Sequence, residues 1–268
     1  EVELNIMRKS AIAAKAGMLA GIEATLPGVT ENEIGAAISQ AMFRAGGEPP
    51  AVMPYVTSGP RTMIGHATWE GRVVQPGEHV FLEVGGCYRR YHTALMRTVI
   101  CGEMNDAMYK AQQVMKRALQ CVRENLRPGM TVSDADNMVR TIIMDSDVDG
   151  KLITRSGYSI GIAFPPSWDE GYIISLKQGD SRVLGKGMTF HIIPWIWGVE
   201  GDKTCGISDT FYITDTGCDS FFTDVEQDFT IKKDSPSSIT QLSAAAATTT
   251  TTDHKSKGKD EKKSKHEV

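Results

Sequence analysis

The sequence predicts an α+β domain built by duplicating a helix, helix, strand, strand unit, and three observations carry that expectation. Two long stretches with apolar residues at helical spacing, Ile6 to Ile22 and Asn105 to Asn125, each end at a Pro-Gly turn. The turns read Leu26-Pro27-Gly28-Val29-Thr30 and Arg127-Pro128-Gly129-Met130-Thr131, 101 residues apart, and a shorter helix opens after each. β-prone runs bounded by Gly and Pro follow both helix pairs. A period this long with two copies implies one pseudo-symmetric domain, not a solenoid.

Taken in order, the first helix is Ala-rich and stops at Leu26-Pro27-Gly28. Thr30 with Glu33 has the spacing of a capping box, so a second helix opens there and runs to about Arg44, before Gly46-Gly47. A Pro- and Gly-rich connection, Pro49 to Pro60, leads through Thr62-Met63-Ile64-Gly65-His66 to a hairpin. Its first strand holds Val80, Phe81, Leu82 and Val84, the Gly85-Gly86 pair signals the turn, and Tyr91 to Thr98 returns. In the second copy, Val132 to about Met144 forms the shorter helix, with Ser133 and Asp134 at its opening. Gly157 to Ile162, an irregular Pro165-Pro166-Ser167-Trp168, and strands at Met188 to Ile193 and Phe211 to Thr214 complete it.

After about Gln227 the composition collapses into an Ala run, Thr248 to Thr252 and a Lys-rich end. Such a segment cannot bury a core, so residues 1–223 are expected to form the domain and 224–268 a disordered, solvated tail.

The whole chain, 268 residues with 41% hydrophobic and 23% charged, can bury a real core. A net charge of -4 gives no steering toward nucleic acid or membrane, so small molecules are the expected partners. Five widely spaced cysteines without a CxxC pair read as thiols of a reducing, cytoplasmic compartment. No apolar run reaches bilayer length, and the first residues do not resemble a secretory signal. The chain does not begin with Met, which fits a fragment or a processed form.

Glu83 stands out inside its apolar strand. A buried carboxylate is costly unless it is paired, hydrogen-bonded or metal-bound, whereas strand alternation also allows Glu83 to face solvent. Both readings stand at the level of the residues alone.

Several ordered segments carry a resemblance: the hairpin ending Tyr91-His-Thr-Ala-Leu-Met-Arg-Thr98, Gly157-Tyr-Ser-Ile-Gly161, Gly187-Met-Thr-Phe-His-Ile-Ile-Pro194 and Ser208-Asp-Thr-Phe-Tyr-Ile-Thr214. From about Glu3 to Phe222 the chain resembles the pita-bread family, which includes methionine aminopeptidase, aminopeptidase P, prolidase and creatinase. The resemblance implies a pita-bread fold, with the duplicated units around a curved antiparallel sheet. Family peptidases hold two metal ions with two Asp, one His and two Glu. Those positions fall here on Glu83, Ala94, Tyr158, Ile193 and Ser208, a set poorly suited to divalent ions, so neither a metal nor another cofactor is expected.

The resemblance also suggests a reaction. Tyr91 to Thr98 is similar to the matching segment of creatinase, a metal-free member acting on a guanidino compound, although Met96 replaces the Glu that binds its guanidinium. His66 matches the family's non-ligand, proton-carrying His. The Gly157 and Gly187 segments look like the ectoine hydrolase branch, in which Glu replaces the first Asp. Ectoine is a cyclic amidine bearing a carboxylate, and ring opening gives N-acetyl-diaminobutyrate. By this resemblance Glu83 is the expected nucleophile or base and His66 the acid for the departing ring nitrogen. Tyr158 is a candidate hydrogen-bond donor to substrate, with a packed aromatic as the plain alternative. His191 and Asp209 line the family's cleft, Trp195 and Trp197 offer rings for a flat cation, and Arg61, ahead of Arg97 or Arg155, is the expected partner of the substrate carboxylate.

Gly206-Ile207-Ser208-Asp209 departs from the Glu-Ile-Thr-Glu pattern of ectoine hydrolases, which weakens the identity of the substrate more than the fold. Longer family members carry an N-terminal domain that helps form a homodimer, and the chain is expected to dimerise if it has one. Two further readings stay open: a catalytically inactive binding module, and a degenerate Xaa-Pro aminopeptidase-like peptidase.

Overall fold

A computed structural model describes residues 1–233; the Ala, Thr and Lys runs of the expected tail lie outside the described residues. The first unit comprises α1 (Val2–Ala24), α2 (Glu31–Arg44), β1 (Tyr55–Ser58), a 3-10 turn at Gly59–Met63, and the hairpin β2 (His79–Tyr88) and β3 (Tyr91–Ile100). The second comprises α3 (Asp106–Asn125), α4 (Val132–Met144), β4 (Gly157–Phe164), β5 (Ser167–Asp169), β6 (Ser175–Leu176), β7 (Thr189–Ile192), β8 (Trp195–Val199), β9 (Lys203–Gly206), β10 (Asp209–Ile213), β11 (Cys218–Ser220) and β12 (Thr230–Ile231). One sheet runs β1-β2-β3-β4-β7-β10-β11 with antiparallel neighbours; β5 and β6 pair with β4, and β12 lies parallel to β3. β8 and β9 form a separate two-stranded ribbon.

The expected duplication is visible bond by bond. Gly28 N–H donates to the Val74 carbonyl and Gly129 N–H to that of Leu184, both at 2.9 Å. Glu31 and Val132 N–H donate to the Arg72 and Arg182 carbonyls, again at 2.9 Å. Gly28 and Gly129 sit at φ 88° and 90°, a conformation that side chains with a Cβ resist, which explains Pro-Gly in both turns. Thr30 caps α2 in a reciprocal box with Glu33, and Thr131 caps α4 in the same way with Asp134. Each box satisfies two of the free donors at a helix start.

The chain departs from the sequence expectation at two places. Gly85-Gly86 is not the hairpin turn; β2 runs through it, and the turn falls at Arg89 and Arg90, with φ 48° and 66°. The glycines serve close approach. A methyl on Gly86 would overlap the Ser10 carbonyl and stand 2.7 Å from Ala14 N in α1, and one on Gly85 would stand 2.6 Å from the Trp168 ring. Nor does the packed domain stop at residue 223: Val225 and Phe229 are buried and β12 joins the sheet.

Strand alternation divides the core. Leu82, Val84, Leu95 and Val99 pack with residues of α1 and α2, while Phe190, Ile192 and Phe211 pack with those of α3 and α4. Phe81, Ala94, Met96, Tyr158, Trp168, Ile193 and Trp195 form a third apolar cluster on side chains alternate to these in β2 and β3. Glu83, two residues from Phe81 and paired in register with Met96, belongs to that third face.

Candidate active site

Glu83 is fully buried, which settles the choice left by its strand position. Neither of its oxygens accepts a hydrogen bond from the described residues. Two imidazoles lie within ion-pair reach of it: His66 Nε2 at 3.5 Å from Oε2 and His191 Nδ1 at 4.0 Å from Oε1. Both distances exceed a well-formed hydrogen bond. An unsatisfied buried polar group costs about 1–3 kcal/mol, and more when charged, so the arrangement is maintained at the expense of stability.

The two imidazoles differ in environment. His66 is half exposed and sits at φ 60°, an uncommon conformation for a non-glycine residue. Its ring stacks on Tyr55 at 4.7 Å between centroids and lies 5.5 Å from that of Trp195. Partial burial disfavours its charged form, but the Glu83 carboxylate outweighs burial and Arg155 and raises its pKa above the ordinary value. His191 is fully buried, and burial, aided by His66, Arg155 and Arg97, pushes it down to about 3. It is therefore neutral. Its Nδ1 is 2.7 Å from Tyr158 Oη and its Nε2 2.6 Å from Ser208 Oγ. Trp168 Nε1 donates to Tyr158 Oη at 3.0 Å, completing a chain of four side chains from β5 through β4 and β7 to the residue before β10. Burial and the nearby Glu83 hold the Tyr158 hydroxyl well above its ordinary range, and the same causes bring Tyr55 to about 12.

The structure thus brings Glu83, His66, His191, Tyr158 and the Trp195–Trp197 pair to one region. The tryptophan rings lie 4.6 Å apart, and a methyl on Gly65 would stand 2.8 Å from Trp197 Cη2 and 3.3 Å from Trp195 Cη2. Asp209 is held elsewhere: it accepts from Arg97 Nη2 at 2.9 Å and Gln227 Nε2 at 2.8 Å, both sides of the ion pair being buried. Burial raises its carboxyl even against these partners. Arg97 also donates to the carbonyls of Met96 and Ser208, which fixes the backbone beneath the site.

Arg61 does not fill the role expected of it. Its guanidinium is committed to Glu31 at the start of α2, to Glu70 at 2.9 Å and to the Thr68 carbonyl at 2.7 Å. Arg155 is likewise held by Asp169 and lies over the Tyr158 ring at 4.5 Å. Sequence reasoning missed the partners of these groups and gave no role to Tyr55 or Trp168. Trp168 and Tyr172 after Pro166 were the available signal; Tyr55, eleven residues before His66, offered none.

The donor set does not fit a dinuclear metal centre. Ala94 and Ile193 contribute apolar side chains, Tyr158 and Ser208 are bonded to His191, and among the described residues no group of three or more His, Cys, Asp or Glu could hold an ion.

The chain matches the model of metallopeptidase family M24 over residues 5–215. It is 34% identical to the ectoine hydrolase of Halomonas elongata over 65% of this chain and 43% of that protein. It is 28% identical to the Xaa-Pro dipeptidase of Pyrococcus furiosus over 80% of this chain and 60% of that one. The crystallised prolidase of Pyrococcus furiosus superimposes with a TM-score of 0.75 at 26% identity, covering 84% of this chain and 65% of its own. The chain spans about half the length of these named relatives. No helix among the described residues is long and apolar enough to cross a membrane.

Proposed function

The chain belongs to metallopeptidase family M24, a family of hydrolases, and we propose that it hydrolyses a C–N bond in a small cyclic amidine or guanidino compound without a metal ion, with ectoine as the first candidate. The observation that carries this reading is Glu83: a buried carboxylate, with both oxygens unsatisfied, 3.5 Å from an imidazole, in an apolar cluster. Such a site suits an organic cation. An amidinium donates to the carboxylate and is already electrophilic at carbon, so the need for a Lewis acid is smaller than for a neutral peptide carbonyl.

As a general base, Glu83 removes a proton from water as the water oxygen bonds to the amidinium carbon. His66, whose pKa the carboxylate raises, then gives its proton to the ring nitrogen as that C–N bond breaks, leaving an amide and a free amine. As a nucleophile, Glu83 itself bonds to that carbon, His66 protonates the departing ring nitrogen, and water then cleaves the resulting O-acyl imidate to release the amide and restore the carboxylate. Tyr158 and His191 supply polar atoms on the facing side of the carboxylate.

The test is ring opening of ectoine by the purified chain after chelator treatment, followed by mass spectrometry. Turnover is expected to survive chelation, to fall about 10²–10⁴-fold in His66→Ala, and to vanish in Glu83→Gln. An intermediate mass on the protein selects nucleophile over base. If the folded wild-type chain leaves ectoine and a panel of amidines and guanidines intact, the reading fails in favour of a binding module. Activity that needs an added divalent ion would return the chain to the peptidases.

A further inference from the structure

Besides the two oxygens of Glu83, the buried side-chain atoms without a hydrogen-bond partner among the described residues are two indole donors, Trp195 Nε1 and Trp197 Nε1. Four such atoms in one region form a pattern: two acceptors on one carboxylate, and two donors on neighbouring rings. Trp195 and Trp197 are two apart on β8 and so project to the same side of the strand. Their ring centroids are 4.6 Å apart, and both six-membered edges flank Gly65, beside His66. Trp195 is 3% exposed, and its ring neighbours those of Phe81, at 5.4 Å, and His66, at 5.5 Å. Phe81 stacks on it at an interplanar angle of 10°, so its N–H runs along the Phe81 face and does not point into it. Buried Trp N–H groups usually find a partner, and two adjacent exceptions are unusual.

We propose that the Trp195 and Trp197 indole N–H groups form the anion-binding half of the substrate site. The ligand is a compact zwitterion, its cationic C–N group against Glu83 and its carboxylate against the two indoles. This deepens the function proposed above and rests on it for the cationic half. It also resolves a difficulty left by the arginines. Arg61, Arg97 and Arg155 are each engaged by a carboxylate of the chain, whereas the two indole N–H groups have no hydrogen-bond partner among the described residues. Neutral donors suit the task, because they can hold an anion without adding a further cation to compete with the substrate's own for Glu83. They also discriminate: an amidine lacking the carboxylate leaves two buried donors unpaired, a penalty that an open arginine would not impose.

The chain has four tryptophans, so the indole N–H signals of ¹⁵N-labelled protein can be assigned with single Trp→Phe variants, which keep an aromatic ring and remove the donor. Ectoine and its carboxylate-free analogue, 2-methyl-1,4,5,6-tetrahydropyrimidine, are titrated in parallel, with turnover measured on the same samples. Ectoine is expected to move the Trp195 and Trp197 signals while Trp69 stays in place, and the analogue to leave both unmoved. Trp195→Phe should weaken ectoine binding about tenfold or more and leave binding of the analogue within about twofold. Ring opening with both signals unmoved, or equal losses for the two ligands, overturns the anion site and leaves the hydrolase reading intact. Carboxylate-dependent shifts without turnover do the reverse, and silence in both removes both.

Discussion

Replacing Glu83 with Met separates a carboxylate kept for chemistry from one kept for structure. In the wild-type protein both oxygens are buried without a donor, and the register partner is already Met96. The nearest nitrogen, on His66, stands 3.5 Å away, so little bonding energy is lost on replacement. An unsatisfied buried polar group costs about 1–3 kcal/mol, and a thioether of similar length meets Phe81, Trp195 and Met96 as apolar neighbours. The variant should therefore be more stable by about 2 kcal/mol. For a domain of this size that raises Tm by roughly 4–8 °C. Turnover should disappear in the same protein. The assay is urea unfolding followed by circular dichroism, with Glu83→Gln as a shape control that keeps a polar group in the same place and should change stability by less than about 1 kcal/mol. A loss of more than about 1 kcal/mol in Glu83→Met, with the denaturant slope unchanged, would mean that Glu83 makes favourable native contacts, and the argument from its unsatisfied oxygens would be wrong.

Two other expectations concern the scaffold. His79, His92 and His191 are held neutral by burial, at about 4, about 4 and about 3. Their native pKa values are depressed, so the unfolded chain takes up protons first as pH falls from about 6.5; stability is full above that pH and declines below it, by up to about 1.4 kcal/mol per unit for each histidine. The raised His66 and Asp209 groups work in the opposite direction, and urea midpoints at pH 7, 6 and 5 measure the net effect. A flat series would contradict it. Gly86→Ala should push α1 away from β2, because the added methyl overlaps the Ser10 carbonyl; a stability loss of about 3 kcal/mol or more is expected, and an unchanged melting curve would show that the helix has room to move.

The duplication was legible because its signals are local. A Pro-Gly turn needs a positive φ at the glycine, a capping box needs Thr with an acid three residues on, and both recur in order. Placement of the hairpin turn failed for the opposite reason. Gly85-Gly86 is locally a turn signal, but the demand for glycine comes from α1 and Trp168, both far away in sequence. The same holds for the end of the domain: Phe229 finds its place only because α3 is there, its N–H donating to Gln112 Oε1 at 2.6 Å.

At the site, the sequence identified which chemical groups are present, and the fold determines which of them are free. Arg61 looked available until Glu31 was brought against it, and Asp209 until Arg97 and Gln227 were. Conversely, Trp195 reads from sequence as a ring for stacking, and its N–H acquires meaning only because nothing among the described residues accepts it. Two imidazoles beside one carboxylate acquire opposite charge tendencies in the same way: His66 is open enough for Glu83 to favour its protonated form, and His191 is buried deeply enough that it stays neutral. That division puts the half-exposed imidazole of His66 on one side of Glu83 and a hydrogen-bonded chain of Trp168, Tyr158, His191 and Ser208 on the other; under the proposed function, the proton to be transferred sits on His66. Under the proposed function, a cation entering this site would meet a carboxylate with no hydrogen-bond partner among the described residues to displace, and its binding would offset the cost of keeping Glu83 unsatisfied.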